Sequence, residues 1–506
     1  MTIIIIVGVL AALAVLAVYD LTQRQNAVTR NFPVVGHLRA LFEELGHPLR
    51  QYFFAGDLDE RPYNRVTRTW VYASANGQSN LVGFGSQVDH NAPGRMLIVP
   101  SMYPTLARAG ATAADLPRPG VIGAKRPQPY QPRRFANISG MSYGALSSNA
   151  VRALSRGAKM ADCYMSTGEG SLTPYHLEGD CDVLYQIGPA KFGCRTPEGR
   201  FDDEKAAAIL ALPQVKMVEI KLSQGAKPGQ GGLLPKAKIT EEIAEIRGIP
   251  IGVDCQSPNR FEEFDDAPSL LDFIERVRKL TGKPVGLKMV VGSTDELDEL
   301  CREIRKRGDG PDFIAVDGAE GGSGATPLAL ADQVGMPLVD ALVAVDNALR
   351  RAGVRHEVSV IASGKIATGG EAALHLALGA DLVHIGRGFL MSIGCIQAMR
   401  CHTNTCPTGV ATQNKWLQAG LDPADKGVRA ANYALAIERD IQMISNSCGV
   451  ASPRQLHRGH IVMNVSPGVK KSLVELYPYP SDQFWPPAAP SSKEERERQV
   501  SHSVAS

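Results

Sequence analysis

Cysteine is scarce in this chain: there are nine in 506 residues and none before Cys163. That is too few for a disulfide scaffold. An excess of charge of one sign is also missing, since 54 Lys and Arg stand against 52 Asp and Glu, a formal charge of +2. No global basic field exists to gather a polyanion, which argues against nucleic-acid binding. No GxxxxGK[ST] stretch occurs and no GxGxxG follows a first strand, so a nucleoside triphosphate site and a Rossmann dinucleotide site are both disfavoured. What remains is 44% hydrophobic, with 50 Gly and 33 Pro. This is the profile of a large globular protein, neither disordered nor fibrous over most of its length.

The few cysteines are unevenly placed. Cys395, Cys401 and Cys406 fall within twelve residues while six are scattered, which fits a reducing compartment and one specialised cysteine site. Hydrophobicity is uneven as well. Ile3 to Tyr19 is seventeen residues without a charge; at about 1.5 Å per residue a helix there reaches about 26 Å, enough to cross a hydrocarbon core of about 30 Å with local thinning or snorkelling. A cleaved signal peptide is the rival reading, but the usual basic residues before the apolar run are missing. A buried apolar helix is the other. Arg24, Arg30 and Arg39 follow the run, which by the positive-inside rule places the remainder in the cytoplasm, beneath the inner membrane.

The expected organisation is a transmembrane anchor over 1–20, an extension over 21–130 packing on the main domain, a catalytic domain over 131–460, and a C-terminal extension over 461–506. The extension before the main domain shows few strong periodic runs. It ends in a Pro-rich stretch, Pro117 to Pro132, read as an extended lead-in. From Arg134, short apolar runs alternate with amphipathic stretches. Strands are expected at 134–139, 161–166, 185–188, 217–222, 284–290, 313–317, 358–363 and 382–386. Helices are expected at 145–159, 267–280, 294–307, 338–352 and 370–378. Eight strand–helix repeats over about 250 residues predict an α/β fold, a (β/α)8 TIM barrel, with an open doubly wound sheet as the alternative. The apolar run Ile249 to Cys255 is assigned to an insertion. The tail after Pro490 is polar and charged and is expected to be disordered.

In such a barrel, function sits at the C-terminal ends of the strands and phosphate sits on the loops after strands seven and eight. The seventh gives Ser363-Gly364-Lys365 followed by Gly369-Gly370, and the eighth gives Gly386-Arg387-Gly388. Glycine lets backbone N–H groups approach phosphate oxygens, and Lys365 and Arg387 supply countercharge. The loops after strands one and two, Ser139-Gly140-Met141-Ser142 and Ser166-Thr167-Gly168-Glu169, are small and hydroxyl-bearing and suit a flat ring lying across the mouth. Lys221 and Lys288 end or occupy strands four and five. With Glu169 and Asp317 at other strand ends, they mark a site, where a cation would stabilise an anionic reduced flavin. The Gly-rich segment Gln224 to Gly232 carries Lys227 and suits gripping a carboxylate. The spacing C-x5-C-x4-C lets three thiolates, delivered from a helix and a Pro-terminated loop, surround a compact cluster lacking one iron corner. Zinc, with His402 as the nearby fourth ligand, and inert buried cysteines are the alternatives.

The stretches ISGMSYGALS, STGEG, EIKLSQGAKPGQGG, VDGAEGGSGATP, ASGKIATGGEAALHLALGAD and CIQAMRCHTNTCPTGVATQ, spread over residues 135 to 415, resemble the FMN-binding synthase domain of glutamate synthase. Within that group the chain is similar to members with one N-terminal hydrophobic helix. The resemblance implies a barrel that holds FMN, takes electrons through a 3Fe-4S cluster, and converts 2-oxoglutarate and ammonia to L-glutamate. It implies that Gln224 and Lys227 hold the substrate carboxylates, that Glu169 sits beside the substrate, and that Lys288 faces the flavin ring. Ser139, Gly140, Met141, Thr167, Gln186, Lys221, Gly322, Gly364, Lys365, Gly386 and Arg387 would complete the flavin site, and Cys395, Cys401 and Cys406 would ligate the cluster. The N-terminal catalytic cysteine of a glutaminase domain and the Gly-repeat domain of the large enzyme are not expected here. Ammonia is therefore expected from solution or from a separate ammonia-supplying partner, and electrons from a donor protein or reductase subunit. The loop Asp317 to Pro327 carries an acidic Glu320 that departs from the family pattern. This keeps open an oxidoreductase on another amino acid or an N-substituted glutamate, and a membrane-tethered electron-transfer component.

Overall fold

The computed structural model describes residues 1–106 and 115–480; the tail expected to be disordered lies outside these residues. Two compact units are present, Met1–Val66 and the chain from Thr67 onward. The first unit holds the helix Thr2–Thr22, of mean hydropathy 2.8 and with none of its apolar window buried, long and apolar enough to cross a membrane. Two shorter helices follow, Ala27–Asn31 and His37–Leu49. Asn26 caps the former by accepting hydrogen bonds from the amides of Val28 and Thr29. The segment read as lacking periodicity is thus partly helical, and Arg65–Ala75 forms a further helix. Pro33, Gly36, Gly46 and Pro48 punctuate this segment and hide its helices from pattern reading.

The eight barrel strands are β1 (Ala136–Ile138), β2 (Met165–Ser166), β3 (Val183–Ile187), β4 (Val215–Lys221), β5 (Val285–Met289), β6 (Phe313–Asp317), β7 (Ser359–Ser363) and β8 (Leu382–Ile385). They close in sequence order, with β8 returning to β1. All neighbouring pairs are parallel. All eight match expected strands, though β1 and β2 are shorter than read. The strands are buried almost throughout, as parallel strands covered by helices must be. The expected helices appear as Ser148–Ala161, Ala267–Lys279, Thr294–Arg307, Leu338–Arg351 and Gly369–Leu378. Ser147, Asp266, Ser293 and Thr368 cap four of them by accepting first-turn amides.

The Pro-rich lead-in does more than run extended. It doubles back so that Ile122 and Tyr130 pair through backbone hydrogen bonds of 2.8 and 3.1 Å. Ile122 then joins Tyr164, Leu184, Met217, Phe313, Ala315, Ile361 and Leu382 in one buried cluster, with Tyr130 packed against it. These residues lie at or near the starts of their strands, so the lead-in plugs the N-terminal end of the barrel. Burying each large apolar side chain there contributes roughly 1.5–3 kcal/mol.

The insertion between β4 and β5 is confirmed. Leu233–Leu234 pairs antiparallel with Cys255–Gln256 outside the barrel, while 249–254 forms no strand. A separate sheet of Met96–Ile98, Ile461–Ser466 and Val469–Ser472 joins the segment before the barrel to the one after it. A buried charge cluster fastens that later segment. Asp346 accepts from Arg350 at 2.8 Å, Arg355 at 2.8 Å and Arg458 at 2.6 Å, and both Asp346 and Arg458 are fully buried.

Candidate active site

Register aligns the charged strand ends. Lys221 pairs with Lys288 across β4 and β5, and Asp317 pairs with Ser363 across β6 and β7. All four side chains are buried. Residues two apart on a strand share a face, so Glu219 accompanies Lys221 into the barrel, and the structure places it there, 1% exposed. Lys288 Nζ lies 3.6 Å from Asp317 Oδ2. Burial pulls its pKa down, but Asp317 and Glu219 outweigh that and hold it above the usual lysine range. Burial raises the Glu219 carboxyl, with Lys288 opposing. Glu219 Oε1 accepts from Gln186 at 2.5 Å, while its Oε2 has no hydrogen-bond partner.

A second group adjoins this one. Lys221 Nζ donates to Gln224 Oε1 at 2.6 Å and lies 3.3 Å from Glu169 Oε1. Burial would raise the Glu169 carboxyl, but Lys221, Arg247 and Lys227 together hold it below the ordinary range. Gly188 and Gly232 leave the space that the Glu169 carboxylate occupies. Lys227, 2% exposed, donates to the Ala325 carbonyl at 2.9 Å, and so joins the Gly-rich loop after β4 to the loop after β6. Burial pushes its pKa down to about 8 against the opposing charge of Glu169. Glu320 turns away from this group: its carboxylate accepts from the Leu338 amide at 3.0 Å and its carbonyl accepts from Arg387 at 2.5 Å.

The expected ring-binding positions line the neighbouring mouths. The Ser139 amide donates to Ile385 O at 3.0 Å, and Thr167 Oγ1 accepts from the Gln186 amide at 3.0 Å. A Cβ on Gly140 would stand 2.9 Å from Gln186 Nε2 and 3.2 Å from Gly168 Cα, and one on Gly386 would stand 3.7 Å from Met141 Sδ. Glycine at 140 therefore lets the Gln186 side chain and the loop after β2 approach closely. At the β7 mouth Gly364 and Lys365 take φ of +134° and +57°, a turn that feeds the Thr368-capped helix Gly369–Leu378. Lys365 is exposed. A Cβ on Gly322 would strike Arg387 Nε at 2.7 Å, so glycine there lets the guanidinium lie against the β6 loop. Small residues, cations and backbone amides thus surround one mouth, which fits a flat ring carrying a phosphate.

The three clustered cysteines follow a turn, not a helix: the helix Arg387–Ser392 ends before Cys395, and 395–412 contains none. The loop is wound through Gln397, Met399 and Asn404, all with φ near +60°. Such conformations cost of order 1 kcal/mol or more each and persist only where the surroundings hold them. Asn404 does part of that holding, donating to Ala237 O at 2.7 Å and accepting from the Gln413 amide at 2.6 Å. None of the three thiols is in a disulfide. Burial, with the neighbouring Cys401 and Cys406 adding to it, raises the Cys395 thiol to about 12. Among the described residues no three His, Cys, Asp or Glu side chains form a group that could hold a metal ion. The three thiols share one loop of the chain but form no such group.

Three residues passed over in the sequence connect these parts. Lys238, 1% exposed, donates to the carbonyls of Ala145, Cys401 and Ala411 at 2.5, 3.1 and 3.1 Å. Arg247 donates to Tyr143 O at 2.7 Å. Gln413 donates to Gly144 O and Leu146 O at 3.0 and 2.8 Å. The cysteine loop is thereby tied to the loop after β1 and to the insertion after β4. The "KAK" stretch reads as ordinary surface charge, and only the packing reveals Lys238 as a buried staple.

Residues 121–451 match the family described as the conserved region in glutamate synthase. The chain is similar to the glutamate synthase large subunit-like protein YerD of Bacillus subtilis, 38% identical over 92% of this chain and 95% of that protein. It is 34% identical to an archaeal-type glutamate synthase [NADPH] of Thermotoga maritima, over 64% of this chain and 61% of that one. It is 35% identical to the archaeal glutamate synthase [NADPH] of Methanocaldococcus jannaschii, over 63% of this chain and 60% of that one. The chain thus spans about three-fifths of the length of the archaeal-type relatives. Among solved structures, a flavocytochrome b2 double mutant with pyruvate bound is 14% identical, covering 88% of this chain and 98% of that one at a TM-score of 0.45. The family match across residues 121–451, together with 38% identity to YerD over nearly the full length of both chains, shows that the chain belongs to the FMN-binding glutamate synthase family.

Proposed function

We propose that this protein is an oxidoreductase that holds FMN across the barrel mouth and reductively aminates 2-oxoglutarate to L-glutamate. The observation that carries this reading is the convergence of Lys221, Lys227 and Lys288 with Glu169 and Gln224 at one mouth. A dicarboxylate substrate needs cations that an acidic or apolar pocket lacks. Bound FMN supplies two-electron transfer to a carbon–nitrogen double bond, and a 3Fe-4S cluster on Cys395, Cys401 and Cys406 supplies single electrons. Ser139, Gly140, Met141, Thr167, Gln186 and Gly322 would border the ring, and Gly364, Lys365, Gly386 and Arg387 would hold its phosphate.

The chain's own groups divide the remaining work. Lys227 and Gln224 hold a substrate carboxylate, and Glu169 keeps the Lys221 ammonium oriented toward Gln224. Condensation of 2-oxoglutarate with ammonia releases water and gives 2-iminoglutarate. Adding two electrons and two protons then gives glutamate. Lys288 would supply a positive charge to the bound ring. Glu219, buried beside Lys288, directs its second oxygen, Oε2, to no hydrogen-bond partner in the chain. Ammonia and electrons come from solution or from separate partners, and the helix Thr2–Thr22 anchors the chain in the inner membrane with the barrel in the cytoplasm.

Flavin-loaded protein given 2-oxoglutarate, ammonium and a low-potential reductant will form glutamate, measured by mass spectrometry. A flavin-loaded preparation forming none would reject this substrate. Lys227→Ala will raise the KM for 2-oxoglutarate by roughly 10–100-fold, the loss of about 1.5–3 kcal/mol for a charge-assisted hydrogen bond, with FMN still bound. An unchanged KM would remove Lys227 from the substrate site. The pH dependence follows from its charge. With its pKa pushed down to about 8, the ammonium is present below that pH and lost above it. The KM for 2-oxoglutarate will therefore be level below about pH 8 and rise above it, and Lys227→Arg will remove that rise, as initial rates across pH will show.

A further inference from the structure

The helix His37–Leu49 buries none of its residues, yet Leu38, Leu41, Phe42, Leu45 and Leu49 fall on one face at helical spacing. Each is between 38% and 64% exposed. The apolar surface continues past both ends of the helix, with Phe32 and Val35 before it and Phe53 and Phe54, about three-quarters exposed, after it. A soluble surface rarely tolerates so continuous a patch.

We propose that this face lies on the lipid bilayer, as an interfacial helix set parallel to the membrane beside the anchor. Its continuity with the apolar helix argues for lipid over a protein partner. Asp20, near the end of Thr2–Thr22 and almost fully buried, accepts from the Val34 amide at 2.8 Å and contacts His37 Nε2 at 2.9 Å. The start of the amphipathic helix is thereby pinned at the height where the apolar helix ends, which is the headgroup level. Aromatic side chains at that depth suit the interface. Charge contributes little: residues 32–58 hold two arginines against three carboxylates, and Arg39 pairs with Glu43 at 3.0 Å. The attachment is therefore by apolar insertion, indifferent to anionic lipid. This inference rests on the proposed membrane anchor.

The test uses full-length protein in phosphatidylcholine vesicles carrying Phe42→Trp or Phe53→Trp, both at exposed positions, with the parent's tryptophan emission subtracted. Bromine placed near the headgroups will remove about half or more of the added emission and bromine deep in the acyl region less, with Ile6→Trp showing the reverse order. Adding anionic lipid or salt will leave the quenching unchanged. Unquenched emission from both variants while Ile6→Trp is quenched would overturn the interfacial helix and leave the anchor standing. Unquenched emission from all three, with extraction of the protein by alkaline carbonate, would overturn the anchor and this inference together. Absent quenching accompanied by concentration-dependent self-association would assign the face to a second copy of the chain instead.

Discussion

Lys288→Met will lower kcat/KM by about 10²–10³-fold, the range found when one preorganised electrostatic partner of a reaction is removed. The side chain is 6% exposed and stands 3.6 Å from Asp317, so its loss leaves the Asp317 and Glu219 carboxylates facing one another without the cation between them. Removing one member of a buried pair typically costs about 3–5 kcal/mol because the remaining charge stays desolvated. The neighbouring carboxylates will respond by taking up a proton. Two measurements separate chemistry from stability. The flavin reduction potential will fall as the positive charge leaves, and Lys288→Arg will recover part of it, whereas a purely structural residue would change the melting temperature and leave the potential alone. An unaltered potential in a folded, flavin-loaded Lys288→Met protein would remove this lysine from the ring's surroundings.

The largest expected loss of stability lies far from the mouth. Asp346→Ala strips the shared partner from Arg350, Arg355 and Arg458, of which Arg350 and Arg458 are almost wholly buried. A cost of about 3–5 kcal/mol is expected from taking the shared carboxylate away from buried guanidinium groups, although Arg355 keeps Asp381 at 2.9 Å. Asp346→Asn, which keeps an acceptor and loses the charge, will cost less. Denaturant titration followed by far-ultraviolet circular dichroism measures both. A midpoint unchanged in Asp346→Ala would show that the cluster does not hold the segment around Arg458 to the barrel.

Much of this architecture is legible in the sequence because a parallel barrel repeats one unit. Each of β1 to β8 is a short apolar run, and Lys221, Lys288 and Asp317 stand out because charge is rare in such runs. Glu219 carries the same signal, two residues before Lys221 on the same strand face, and strand periodicity alone points it inward. Lys238, Arg247 and Asp346 carry no such mark. Their burial arises from contacts far apart in the chain, such as Lys238 with Ala145 and Ala411 or Asp346 with Arg458, which no local pattern encodes. The helices between Ala27 and Ala75 escape for a different reason. They are short or punctuated by residues such as Gly46 and Pro48, which read as helix breaks. The lead-in is half legible: its prolines exclude helix, but the pairing of Ile122 with Tyr130 depends on the barrel floor it fills.

The visible absorption spectrum of anaerobically purified protein, recorded with and without 2-oxoglutarate, tests the central claim most directly. Flavin bands together with broad iron–sulfur absorption, and a shift of the flavin bands on adding 2-oxoglutarate, are the expected result. Folded protein that stays colourless after titration with FMN would contradict it.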